Sequence, residues 1–218
     1  MSSRTALGVF VAGFGAYWVT TLNITWLAIY LIKVVHATPI NAAWILGLPS
    51  VMQMVLAPGF AWLSQTLSHF GVSSRVARGV LGALCVIISG VSMICMTVLH
   101  LGVLKILLIG LSFSISSVIF TLGSALIGEI SPPSQRGAML GMTNSIHTLA
   151  GLCAPFVMGR IIDAGTNPAV GFRTGYLYAG AMVATMGALA AVLIHPEADL
   201  RRFGRHALRP AMPAQPMT

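Results

Sequence analysis

The chain has 218 residues, 56% of them hydrophobic and only 7% charged, with a mean hydropathy of +0.89 and a formal charge of +8. A soluble domain carries about 25% charged residues, so this composition excludes a water-soluble enzyme, a disordered chain and a nucleic-acid binder of ordinary build. In so apolar a chain the basic residues report membrane topology, and no nucleic-acid partner is expected.

The 12 basic and 4 acidic residues divide the sequence into long apolar runs. These predict six spans at about 7–33, 41–67, 79–99, 103–128, 137–160 and 174–195. Each reaches the ~20 residues that a helix needs to cross a bilayer. Barrel strands would be about 10 residues long and would alternate in polarity, which these runs do not. The expected fold is an all-α integral membrane protein, a six-transmembrane-helix bundle over residues 7–195, with a short cytoplasmic N-terminus at 1–6. The first run is too long for the apolar region of a signal peptide, about 7–15 residues, and no small-residue cleavage site follows it; it reads as a retained helix.

Six spans place both termini on one side. That side holds Arg4, Arg75, Arg78, Arg136, Arg201, Arg202, Arg205 and Arg209; the other holds Lys33, Lys105, Arg160 and Arg173. Basic residues favour the cytoplasmic face, so both termini are expected to be cytoplasmic in a cell (inner) membrane. The tail 196–218 contains Pro210, Pro213 and Pro216 and reads as disordered.

Taken in chain order, the first span carries Tyr17, Thr20, Thr21, Asn23 and Thr25, then Trp26 and Tyr30. Tyr17 and Asn23 are candidate binding residues, because an amide in hydrocarbon needs a partner; Trp26 and Tyr30 suit the interfacial belt. The second span has Gln53 between Pro49 and Pro58. Prolines bend or break membrane helices, and Gln53 is expected to face the protein interior, as a binding group or a structural hydrogen bond. The third and sixth spans are plain.

The fourth span carries Gly110, Ser114, Ser117, Thr121, Ser124 and Gly128 at spacings of four and three residues, which puts them on one helical face. Two readings fit: close helix packing through small residues, or a hydroxyl-bearing wall of a polar cavity. In the fifth span Asn144, His147, Thr148 and Gly151 fall near one face. His147 is either a packing residue or a group that handles protons.

No Asp, Glu, Lys or Arg lies near a span centre. Ser124 follows Gly123, but the flanking sequence lacks the Gly-x-Ser-x-Gly elbow. Phosphate loops, zinc-helix motifs and haem signatures are absent. The three cysteines, Cys85, Cys95 and Cys153, form no paired metal spacing. Neither catalysis nor a cofactor nor a metal is expected.

The linkers and helix ends add an ordered set of short motifs. Thr25-Trp26-Leu27-Ala28-Ile29-Tyr30-Leu31 precedes Leu48-Pro49. Leu63-Ser64-Gln65-Thr66-Leu67 is followed by Gly71-Val72-Ser73 and Ala77-Arg78. Then come Gly128-Glu129-Ile130-Ser131-Pro132, Arg136-Gly137, Gly141, Asn144, and Gly151-x-x-x-Pro155-x-x-x-Gly159. From about Leu7 to Phe203 this order resembles the C-terminal half, helices seven to twelve, of a major facilitator superfamily transporter, and within it the anion:cation symporter family. Two residues depart from that family's pattern: Ala28 stands where it often has proline, which removes a kink, and Gln65 stands where its linker usually has aspartate.

The resemblance implies alternating access by two six-helix halves around a midplane site. It implies that the first and fourth spans line the cavity, the second and fifth flank it, and the third and sixth face lipid as scaffold. Thr121, Ser124 and Asn144 fall where similar carriers hold substrate, joined here by Tyr17, Asn23, Gln53, Ser117 and His147. Pro49, Pro58, Gln65, Arg78, Glu129, Arg136, Gly151, Pro155 and Gly159 take gating or structural roles. The implied partners are an N-terminal six-helix half or a second copy, a small organic anion, a proton or sodium ion for coupling, and the lipid bilayer. The alternative is a non-transporting truncated membrane protein or a self-associating six-helix interaction protein.

Overall fold

The computed structural model describes residues 3–99 and 102–207. Six helices are long and apolar enough to cross a membrane: Arg4–Thr25, Pro39–His69, Arg75–Val98, Val103–Ile130, Arg136–Asp163 and Pro168–Leu193. No strand occurs among the described residues. The protein is therefore an all-helical, multi-pass membrane bundle.

The spans resolve into shorter elements where local chemistry interrupts them. The first splits at Trp26 into α1 (Arg4–Thr25) and α2 (Leu27–Lys33). The break occurs although Ala28 stands where a proline kink is usual. The second span is α3 (Pro39–His69), capped by the Thr38 hydroxyl, which accepts from Asn41 N. The third begins with a π-helical turn (Arg75–Val80) and continues as α4 (Leu81–Val98). The fourth is two helices, α5 (Val103–Ile115) and α6 (Val118–Ile130), joined through Ser116 and Ser117. The fifth and sixth are α7 (Arg136–Asp163) and α8 (Pro168–Leu193); the Asn167 side chain caps α8 by accepting from Val170 N.

Pro49 and Pro58 do not break α3, nor does Pro155 break α7. Neighbouring groups in a bundle re-satisfy the carbonyls that a proline releases.

The tightest seam lies between α4 and α8. A Cβ built on Gly90 would stand 2.5 Å from both Ala184 N and Gly180 O, and one on Gly180 would stand 2.7 Å from Gly90 O. The two backbones are in direct contact, as small residues permit between membrane helices. Ser89 Oγ donates to Ser112 O at 2.5 Å and fastens α4 to α5. The first, third and fourth spans are mostly buried, whereas α3 and α7 are largely exposed. The third span packs one side of α4 against α8 and α5 and leaves a stripe of Leu84, Ile88, Val91 and Val98 exposed on the other. The first span is enclosed by α7, α8 and α6.

The expected disordered tail needs correction over its first part. Residues Pro196–Ala207 form a ninth helix, α9; residues 208–218 lie outside those described. Asp199 is buried and clasps the start of α1. Its Oδ2 accepts from Ser3 Oγ at 2.6 Å and from Thr5 N at 3.0 Å. In return Thr5 Oγ1 accepts from His195 N at 3.1 Å. Ser3 Oγ also caps α1 by accepting from Ala6 N. A carboxylate at a helix N-terminus satisfies free N–H groups and suits the helix dipole, so this segment has a reason to order that proline content alone does not disclose.

Burial pushes the Asp199 carboxyl up, but hydrogen bonds from Ser3, Thr5 and the Arg4 backbone outweigh it and hold the group below the usual carboxylate range. A depressed carboxylate stabilises fully above its unfolded pKa, about 3.9, and that stability goes as pH falls through the folded value. The clasp therefore holds throughout the neutral range. Asp199→Ala is expected to raise amide exchange at Thr5 and Ala6 about tenfold, for ~1.4 kcal/mol of lost local stability. Unchanged exchange in hydrogen–deuterium mass spectrometry would show that the clasp does not hold this end.

Candidate functional site

The polar residues of the spans sort into an open set and an enclosed set. Gln53 on α3, Thr121 and Ser124 on α6, and Asn144 and Ser145 on α7 are exposed. Gly47 and Gly59 on α3 and Gly137 and Gly141 on α7 face open space. Gln53 therefore does not face the interior as expected. The buried residues of α3 are Ala42, Pro49 and Ser64, a narrow stripe, and Gln53 falls outside it.

The hydroxyls on this open side are not idle donors. Ser124 Oγ donates to Phe120 O at 2.6 Å, Ser145 Oγ to Gly141 O at 3.0 Å and Thr148 Oγ1 to Asn144 O at 3.1 Å. Each closes back on its own helix, which lets a hydroxyl sit in an apolar helix without a partner from elsewhere. As donors only in these bonds, the oxygens keep lone pairs with which to accept. The Gln53 and Asn144 amides supply N–H donors.

Ser117 is not on this side. It is buried at the α5–α6 joint, and its Oγ donates to Ser114 O at 2.7 Å. Ser114 is buried too, and Gly110 packs against Met52 and Leu48 of α3. The six-residue stripe is therefore divided. Its first half is helix packing, and Thr121 and Ser124 are open. The close-packing reading describes the first half.

His147 belongs to the enclosed set. Its side chain is buried, with Nε2 3.3 Å from Val9 O. A carbonyl only accepts, so Nε2 carries the proton. The ring fills the space left by the missing side chain of Gly13 and lies 5.7 Å from the Phe120 ring. This geometry ties α7 to α1 and gives His147 no access to the open side.

Tyr17 is half-buried beside it. Its ring meets Phe120 edge-on at 6.2 Å and lies over Gly151, where a Cβ would stand 3.1 Å from Cε1. Asn23, also half-buried, lies further along α1.

The motif Gly151-x-x-x-Pro155-x-x-x-Gly159 now has a physical account. It is a seat on α7 for two aromatic residues of the first span. Tyr17 rests on Gly151, the Trp26 Nε1–H donates to Pro155 O at 3.3 Å, and the Trp26 ring covers Gly159. Trp26 also meets Phe172 edge-on at 5.9 Å, and Tyr30 meets Phe172 and Tyr176 at 5.8 and 5.2 Å. Trp26 and Tyr30 thus pack between the first span, α7 and α8. Lys105 Nζ lies 5.6 Å from the Tyr30 ring centroid, a cation–π distance.

At the end of the bundle near both termini, Arg78 Nη1 meets Glu129 Oε2 at 2.8 Å, and Ser74 Oγ donates to the same oxygen at 2.6 Å. The bonds join the π-helical turn to the end of α6. Arg136 lies over Gly128 and is exposed, as is Gln65. No cluster of His, Cys, Asp or Glu suited to a metal occurs among the described residues.

The bundle thus encloses one set of polar residues and leaves another exposed. The Major Facilitator Superfamily model matches residues 9–214. The chain belongs to the Major Facilitator Superfamily. That family is one of membrane transporters rather than of enzymes. The chain is 26% identical over 164 residues to a probable galactarate/D-glucarate transporter, GudP, of Pseudomonas putida, covering 75% of this chain and 36% of that protein. It is 24% identical over 200 residues to the protein of the same description in Bacillus subtilis (strain 168), covering 88% of this chain and 40% of that one. The chain thus spans well under half the length of either relative.

Proposed function

We propose that this chain forms the C-terminal half of a secondary transporter for small organic anions of the sugar-acid or carboxylate type, working by alternating access. The observation that carries this reading is the exposure of polar residues on three of the spanning helices, Gln53 on α3, Thr121 and Ser124 on α6 and Asn144 on α7. Amide N–H groups suit a carboxylate, and hydroxyl oxygens suit the alcohols of a sugar acid. Sugar-acid transporters among the relatives support that substrate class.

The other wall of the path comes from an N-terminal six-helix half. The span centres of this chain carry no Asp, Glu, Lys or Arg, so that half also supplies the charge that handles a coupling proton or sodium ion. Both termini lie on the cytoplasmic face of the cell membrane, in keeping with the eight-to-four division of basic residues. His147 stays a packing residue in this scheme.

Asn144→Ala is expected to lower glucarate uptake about tenfold in proteoliposomes holding this chain with a GudP-derived N-terminal half, since one hydrogen bond to a charged group is worth ~1.5–3 kcal/mol. The membrane level should not change, because Asn144 is exposed. Undiminished uptake of glucarate, galactarate and other organic anions would remove Asn144 from the site. Uptake by this chain alone, as fast as with the added half, would remove the need for that partner.

A second reading is favoured by the bulky apolar residues on the same uncovered helices. Trp44 and Trp62 on α3 and Phe156 on α7 are about seven-tenths exposed or more. A second copy of the chain would cover them in a self-associating, non-transporting protein. Cysteines placed at exposed Ser145 distinguish the readings: crosslinks between copies favour self-association, and crosslinks to the added half favour the carrier.

A further inference from the structure

Away from the polar side, α7 and α8 leave a groove between them. Its inner part is a cavity of about 430 Å³ lined by Trp18, Met158, Gly175, Ala179 and Met182, with almost no polar surface. Val157, Ile161 and Tyr178 line this part and also a second cavity of about 520 Å³, so the two run together. The second part reaches the α7–α8 turn and adds Arg160, Thr166 and Thr174. The groove is therefore graded: hydrocarbon along its length, then a guanidinium and two hydroxyls at one end.

That end coincides with the membrane interface. Arg160 is one turn from the end of α7, and the turn after it lies on the face opposite both termini. Among the described residues Arg78–Glu129 is the one ion pair. Arg160 is thus unpaired, and Asp163, further along the same helix, does not reach it. A sugar acid has no apolar part to fill such a groove. An amphiphile with an anionic head and a hydrocarbon chain matches both ends of it.

We propose that the α7–α8 groove holds one anionic phospholipid, its acyl chain along Trp18 and Met182 and its phosphate at Arg160. Lipid at this place would bridge α7 and α8 beside the seat that α7 provides for Trp26. It is independent of the transport reading.

The test is native mass spectrometry of the full chain, loaded in detergent with palmitoyl-oleoyl phosphatidylglycerol or phosphatidylcholine. The wild type should retain one phosphatidylglycerol with about fivefold preference, the factor expected of one arginine at a lipid surface. Arg160→Gln should bring the two lipids to parity while still retaining either. Val157→Trp should fill the groove and abolish retention of both; Val157 is 39% exposed, so the larger ring has room at the rim. Leu189→Trp, on lipid-facing α8 but outside the groove, should behave as wild type. A preference that survives Arg160→Gln, equal retention of both lipids by the wild type, or undiminished retention in a monodisperse Val157→Trp would each overturn the proposal.

Discussion

Replacing Gly90 with valine should leave little folded chain in the membrane. A Cβ at this position would stand 2.5 Å from Ala184 N and Gly180 O, and 2.9 Å from Ala184 Cβ. Two of those atoms are backbone, so no rotamer change relieves the clash; α4 and α8 must separate. Their contact is the most extensive between any two helices described here, and Gly187 repeats the arrangement, with Ile87 N 2.9 Å from its built Cβ. Overpacking of a tight core costs ~1–3 kcal/mol when side chains can yield, and more is expected where only backbone can. A fall of at least tenfold in membrane-inserted, monodisperse protein is the expected readout. Gly59→Ala is the control. Nothing lies within 4 Å of a Cβ at Gly59, which is inside α3, so the alanine should be neutral or stabilise the helix by up to ~1 kcal/mol. Normal levels of Gly90→Val would mean that the α4–α8 seam is not what holds the bundle together.

This contrast shows where sequence reading runs out. The spans were legible because charge is excluded from hydrocarbon, and that exclusion leaves its mark residue by residue. The family resemblance was legible in the order of the linker motifs. Which of the 23 glycines touch another backbone is a matter of tertiary approach, and neither hydropathy nor spacing encodes it. Gly90 and Gly59 look alike in sequence. The fourth-span stripe failed for a related reason. A 3.6-residue period carries a face forward only along an unbroken helix, and α5 and α6 are separate at Ser116–Ser117. Ser114 and Ser117 are buried as a result, while Thr121 and Ser124 are open.

In the fifth span the period was sound and the boundary was not. Residues three apart on a helix differ by about 60° in direction. That is enough to put Asn144 on the open side and His147 in the core. Polarity alone groups the two; only the position of α1 separates them. The tail shows the converse. Its prolines suggested disorder, yet Asp199 finds Ser3 and Thr5 across the whole length of the chain, a pairing that no local pattern announces.

His147 yields the second large effect. Gly13→Ala should destabilise the bundle by ~2–4 kcal/mol, because the new methyl falls within the imidazole ring and expels it. The Nε2–H then loses Val9 O inside an apolar interface. His147→Ala should cost a similar amount by a different route, the cavity and the lost bond. The two changes are complementary in shape, since one adds volume where the other removes it. The double variant Gly13→Ala/His147→Ala should therefore lose clearly less than the sum of the two single losses, a favourable coupling of ~1–2 kcal/mol. Unfolding by sodium dodecyl sulfate in micelles measures all three. A packing role for His147 predicts this coupling, together with a pH–uptake profile that His147→Gln leaves unmoved in the assembled carrier. Strict additivity of the single losses, or a displaced pH profile in His147→Gln, would instead return His147 to proton chemistry. It would also mean that the ring leaves the Gly13 notch, since in the packing of α1 against α7 the imidazole meets a carbonyl and an aromatic ring.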